Sequence, residues 1–242
     1  MNARQSKMFR WGLGFILCAV SLGTGFRGVA DGTEETRELV LHKGVEHVAP
    51  GKTADQKGFL VIPGAVENRT GSWVYIIVHV KLYDQQGKEL TAGNAANKTE
   101  QAAPTLNVRI APGELGIFTY IRDVAKIEGR YDHCALSAEW IVTDGGSVGE
   151  IADVKTRRAP PYLRVTGVFE STGTNVCKFP EAVVAGYDDT GKIYEAGATA
   201  VQDAAGNPVE ELLPGKSGTF EMILDNQADM IKDVNVLAGC GY

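Results

Sequence analysis

The chain has 242 residues, 44% of them hydrophobic, with 30 acidic residues against 24 basic and a formal net charge of −6. That length allows one or two domains with cores of their own. A surface of that sign repels phosphate backbones, and no Lys/Arg cluster offsets it, so nucleic acid is excluded as an expected partner.

Arg4, Lys7 and Arg10 precede an apolar run from Trp11 to Phe26, and Gly28-Val29-Ala30 supplies small residues before Asp31. This is the layout of a cleavable signal peptide over residues 1–30. The run is too short and too glycine-rich for the ~20 residues of a membrane span. An extracytoplasmic destination is therefore expected, periplasmic or secreted, with no membrane span in the mature chain. Without Arg4, Lys7, Arg10 and Arg27 the remaining chain holds 20 basic residues against 30 acidic, a formal charge of −10. Residues 31–57 read as an acidic lead-in with one strand, Glu38 to His42, an edge addition or partly disordered.

From there the chain repeats itself. Val74 to Leu82 alternates with one apolar face, which predicts a half-buried strand, and Tyr83-Asp84-Gln85-Gln86-Gly87-Lys88 ends it. Ala111-Pro112-Gly113-Glu114 is a turn before the strand around Phe118. The same order returns with Tyr187-Asp188-Asp189-Thr190-Gly191-Lys192, Leu213-Pro214-Gly215-Lys216 and Phe220, offset by 104 residues at the first turn and 102 at the second. Asp84 and Asp188 are placed to bond backbone amides, and Gly87, Gly113, Gly191 and Gly215 to take positive φ. Many short strands with regular turn signals and little helical periodicity predict an all-β chain of two β-sandwiches. The expected boundaries are 58–142 for the first repeat and 162–242 for the second. An exposed linker, rich in Gly, Asp, Lys and Arg and closed by Ala159-Pro160-Pro161, is expected over 143–161.

Both copies resemble the bacterial and archaeal extracytoplasmic modules of the FxLYD type. The resemblance rests on the entry Ile62-Pro63-Gly64-Ala65-Val66-Glu67-Asn68-Arg69-Thr70-Gly71, its second form Val165-Thr166-Gly167-Val168-Phe169-Glu170-Ser171-Thr172-Gly173, and the two sets of turns. Copy two departs from the pattern where Ser171 replaces the asparagine. The resemblance implies an immunoglobulin-like sandwich outside the cytoplasm and no catalytic residues.

The motifs of chemistry are incomplete. Gly145-Gly146-Ser147-Val148-Gly149 matches the nucleophile elbow of α/β-hydrolases, but all four histidines precede Ser147, so the Ser–Asp–His order fails. Gly51-Lys52-Thr53 and Gly215-Lys216-Ser217 lack the upstream glycine of a phosphate loop. Asp84, Asp188 and Asp189 offer too few oxygens for calcium. Imidazole and thiolate suit zinc or copper, which makes His42, His47 and His133, with His79 and Cys134, the weak metal candidates; no spacing gathers them, and solvated surface histidines are the plainer reading. No catalytic residue and no cofactor is expected.

Three cysteines follow the leader, so at most one internal disulfide forms. Cys177 and Cys240 share a repeat and are the expected pair, leaving Cys134 as a buried thiol or an intermolecular bridge. The expected function is a non-enzymatic structural or interaction protein that meets a protein or cell-envelope partner. The rival is a periplasmic small-ligand or Zn/Cu-binding protein.

Overall fold

The computed structural model describes residues 38–51, 57–92, 100–107, 109–145, 149–226 and 229–241. The expected signal peptide, Lys52-Thr53 and Ser147 lie outside the described residues. Among those described, the chain is an all-β sandwich fold; no helix is long and apolar enough to cross a membrane.

Strands β1 (Leu39–Lys43), β2 (His47–Ala49), β3 (Phe59–Asn68), β4 (Val74–Tyr83), β5 (Glu89–Ala92), β6 (Glu100–Pro104), β7 (Leu115–Asp123), β8 (Ile127–Glu128) and β9 (His133–Val142) form two sheets. In one, β3 pairs with β1 and β2 along one side and β7 along the other; in the second, β4 pairs with β5, β6 and β9. Leu60, Ile62 and Val66 of β3 meet Val74, Ile76, Val78 and Val80 of β4 between them. The alternation of β4 is as clean in space as in sequence, odd positions half exposed and even positions buried.

Strands β10 (Gly149–Ala159), β11 (Tyr162–Ser171), β12 (Cys177–Tyr187), β13 (Ile193–Ala200), β14 (Glu211–Leu212), β15 (Ser217–Asp225) and β16 (Asp233–Gly241) repeat the scheme. β11 lies between β10 and β15, while β12 pairs with β13, β14 and β16. Leu163, Val165, Phe220 and Leu224 pack on Ala182 and Val184 between these sheets.

The stretch expected as a linker is therefore largely strand. Gly149–Ala159 pairs with β11 through nine residues, and Pro160-Pro161, joined by a cis peptide, closes a two-residue turn. Its alternation is hidden in sequence because β10 is an exposed edge strand with a bulge between Ala152 and Lys155, where Asp153 has φ +52°. The first copy opens the same way. β1 and β2 pair with β3 as β10 pairs with β11, so Leu39 corresponds to Gly149 and Ala49 to Ala159. The connection after this opening spans residues 50–58 in the first copy and only 160–161 in the second, and that difference in length hides the correspondence from a fixed offset.

One residue explains why the first copy has two short strands where the second has one. The carbonyl of Pro63 accepts from the Gly44 amide at 2.8 Å, so the side of Pro63 that faces the opening strand is the side on which it has no N–H to give. Pairing stops there and the chain kinks through Gly44-Val45-Glu46. Thr166 holds the equivalent place in β11 and stays paired, with Lys155.

Separate cores were expected for the two copies; the structure adds a shared one. Ala65 and Ile117, on the outer face of the β3 sheet, pack against Val183, Ala185, Ile193 and Ala196 on the outer face of the β12 sheet. The four sheets thus form one stack whose two inner sheets are covered on both sides. This accounts for the unbroken burial of Leu60 to Val66. Full burial of a side chain such as Ile117 or Val183 contributes on the order of 2 kcal/mol.

Turn chemistry holds the ends. Asp84 Oδ1 accepts from the Gln86 and Lys88 amides, each at 2.9 Å, and Gly87 has φ +75°. Asp188 does the same for Thr190 and Lys192, with Gly191 at φ +79°. A third loop of this design, Asp203 to Asn207 with Gly206 at φ +85°, lies outside the two repeated turns. Gly113 and Gly215, behind Pro112 and Pro214, also have positive φ, and their amides bond the carbonyls of Asn68 and Ser171.

Asn68 and Ser171 occupy the same place and are satisfied differently. Asn68, fully buried, donates to the Ser72 and Ile110 carbonyls and accepts from both the amide and the hydroxyl of Thr70. The Ser171 hydroxyl is buried with no hydrogen-bond partner among the described residues. Cys177 and Cys240 form a disulfide, Cα atoms 5.3 Å apart, tying the start of β12 to the end of β16. It closes 63 residues and contributes about 4 kcal/mol in the chain-entropy model.

Two outcomes are expected in denaturant titrations. Gly87→Val and Gly191→Val each lose at least ~1 kcal/mol, because a β-branched residue is strained at positive φ; parent-like stability would mean that the turn tolerates another conformation. Asn68→Ala loses roughly 1–3 kcal/mol by leaving buried partners unbonded, whereas Ser171→Ala is close to neutral. Equal losses at the two positions would show that the Ser171 hydroxyl is bonded in solution.

Candidate functional site

The kink that Pro63 forces between β1 and β2 places five consecutive residues against both halves of the stack. Lys43 and Glu46 turn into the first half, while Gly44, Val45 and His47 meet β13. The Val45 amide donates to the Ile193 carbonyl at 2.7 Å, and a Cβ on Gly44 would stand 2.2 Å from that oxygen. Only glycine permits this approach. Farther along the junction, the Thr119 hydroxyl donates to the Ala196 carbonyl at 3.2 Å.

Inside the first half, Glu46 accepts from the Cys134 thiol at 3.0 Å and from Lys43. The Tyr131 hydroxyl is buried beside the same carboxylate without a well-formed hydrogen bond. Burial works against both charges of the Lys43–Glu46 pair, but their mutual bond and the Cys134 contact outweigh it, holding Lys43 above and Glu46 below the usual values. Burial, then the bond to Glu46, pushes the Cys134 thiol up to about 12. The thiol is thus protonated at neutral pH and acts as a donor to a carboxylate; a nucleophile needs the thiolate.

On the other side of the kink, the His47 ring stacks on Tyr194 with centroids 4.4 Å apart and planes 8° from parallel. Nε2 lies 3.5 Å from a Glu195 carboxylate oxygen and Nδ1 3.2 Å from the Val45 carbonyl. Both ring nitrogens face acceptors, which suits the imidazolium. Burial disfavours that charge, yet Glu195, the Val45 carbonyl and Asp225 overcome it and raise the pKa above the ordinary histidine value.

The metal candidates are not gathered. His42 lies on β1 at 3.8 Å from Glu67, His133 stacks on Tyr83 and bonds Asp132 at 2.9 Å, and His47 stands at the junction with its side chain only 15% exposed. Among the described residues no three His, Cys, Asp or Glu side chains are placed to hold a metal ion. The expectation of solvated histidines is corrected at His47, which is interfacial. The residues Asp84 and Asp188 and the Pro-Gly turns at 112–113 and 214–215 close turns at loop ends.

No protein-family profile matches the chain, and no curated protein matches it. Among solved structures, red sea bream transglutaminase aligns over 85% of this chain and 31% of its own, at 7% identity and a TM-score of 0.26. The exo-β-D-glucosaminidase CsxA aligns over 81% and 26% respectively, at 16% identity and the same TM-score. The chain spans less than a third of either enzyme, and likenesses of that size carry no argument.

The junction makes a pH prediction. The folded pKa of His47 is raised, so its contribution to stability is complete below the unfolded value of about 6.5 and is lost as pH rises through the folded value. The drop in melting temperature on going from below pH 6.5 to above the folded value is expected to be smaller in His47→Gln than in the parent. An unchanged difference between the two would mean that His47 binds no extra proton in the folded state.

Proposed function

We propose that the chain is a non-enzymatic, exported structural or interaction protein, built from two tandem immunoglobulin-like modules of the FxLYD type. Its task is to hold two sandwiches in one fixed relative orientation while their loops and outer sheet faces meet a cell-envelope or extracellular partner. The observation that carries this reading is the junction: an apolar seam, a backbone hydrogen bond and the His47–Glu195 pair spend the polar chemistry of the kink on fixing the two halves together. The Cys177–Cys240 disulfide fits an oxidising compartment. The basic and apolar order of residues 4–30 supports export.

Two measurements test it. Fractionation and amino-terminal sequencing are expected to recover the protein outside the cytoplasm with Asp31 first; a cytoplasmic chain that keeps its first thirty residues overturns export. Calorimetric titration of the mature protein with Zn²⁺ and Cu²⁺ is expected to give no stoichiometric binding. Tight binding that disappears with His42, His47 or His133 replaced by Ala would favour the metal-binding alternative instead.

A further inference from the structure

The outward face of the β10–β11–β15 sheet carries two like-charge pairs at opposite ends. At one end Arg157 stands directly across from Arg164, with Lys155 the next outward residue along β10; at the other, Glu150 stands directly across from Glu170. All five side chains are exposed. Like charges placed directly opposite on an antiparallel pair destabilise it. Arg164 reaches Glu221 of β15 at 3.1 Å, but Lys155, Arg157, Glu150 and Glu170 have no ion-pair partner among the described residues. Between the two ends Thr166 stands between Lys155 of β10 and Glu221 of β15, and Val168 stands between Ala152 and Thr219.

The corresponding face in the first half is the one that packs on the β12 sheet. Ala65 and Ile117, central to that seam, hold the places that Val168 and Thr219 hold here. A face of this kind already makes one sheet-on-sheet contact in this fold, and in the second half the same surface is left uncovered with charges at both ends.

We propose that this face pairs with the same face of a second copy of the chain. A two-fold axis lying between the sheets, perpendicular to the strands and level with Gly167, reverses strand direction and keeps strand order. It sets Arg157 over Glu150 of the other copy and Arg164 over Glu170, twice per dimer, with Lys155 over Ala152 and Glu221 over Thr219 between them. The alternative axis, parallel to the strands, brings Lys155 over Glu221 but sets Arg164 over Arg164 and Glu170 over Glu170. On β15, Asp225 comes level with the Gly215-Lys216 turn of the second copy, so the arrangement introduces no opposed acids there. The interface is isologous and closes at two copies. The basic and acidic ends lie about 20 Å apart along β11, and the three-stranded face measures about 14 by 30 Å. That is smaller than the ~800 Å² per partner of a standard interface, so the dimer is weak and dominated by charge.

Sedimentation velocity of the mature protein over a range of concentrations tests this, with circular dichroism melts as folding controls. The wild type is expected to dimerise at low salt, with a dissociation constant at least about tenfold higher at ~0.5 M salt. Arg157→Glu/Arg164→Glu has four acidic side chains at these positions and is expected to be monomeric. Glu150→Lys/Glu170→Lys has four basic ones and is expected to be monomeric as well. An equimolar mixture of the two variants is expected to form a heterodimer tighter than the wild-type dimer. A wild type that stays monomeric at low salt, or folded variants that fail to associate when mixed, overturns the proposal. So does a dimer that neither reversal weakens. Binding of a soluble polyanion that disappears in the arginine variant, without any dimer, would assign the basic end to that polymer and likewise overturn it.

Discussion

A missing hydrogen-bond donor in the middle of a sheet organises this molecule. Pro63 has no amide to offer the strand beside it, so β1 cannot run on into β2, and the chain leaves the sheet for three residues. Those residues and their neighbours do what an uninterrupted strand could not. Glu46 swings in to meet Lys43 and Cys134, Gly44 and Val45 reach the Ile193 carbonyl, and His47 lies on Tyr194. The second copy, with Thr166 at the same place, keeps its strand whole and only bulges at Asp153. The asymmetric contact of this duplicated scheme thus starts at Pro63 and is completed by Gly44 and His47.

Side-chain size makes the contact possible. The seam is lined by Ala65, Ala185, Ala196 and Ala198 together with Ile117, Val183 and Ile193, so that two sheets approach with small residues facing large ones. The repeated glycine of each entry strand serves a related end within each copy. A Cβ at Gly64 would stand 2.4 Å from the Phe118 ring, and one at Gly167 2.6 Å from Phe220, because each phenylalanine lies across the glycine opposite it. The entry glycine and the aromatic after the Pro-Gly turn are thus two halves of one packing unit, about fifty residues apart in sequence and touching in space.

The parts of the fold legible in sequence were those decided by neighbouring residues. The alternation of Val74 to Leu82 and the spacing of Pro and Gly before Phe118 each carry their physical cause within a few positions. The opening strands were harder. β10 has one half-exposed Ile151 facing the core, charged residues on its open side and a bulge that shifts its period, so its composition reads as a linker. The third Asp-x-x-Gly loop, at Asp203 to Gly206, was spelled out in sequence but follows no long alternating strand. His47 was visible only as a histidine, since Tyr194 and Glu195 lie in the other half of the chain and nothing local points to them.

The doubly covered sheets bear on how the chain reaches this state during synthesis. The first half emerges with the outer face of β3 and β7 bare, Ala65 and Ile117 included, and that face finds its cover only when the β12–β13 hairpin has been made. Until then the nascent chain carries an apolar sheet surface of the kind that draws two chains together. A carrier that keeps the chain unfolded until its last residue has been made removes that hazard.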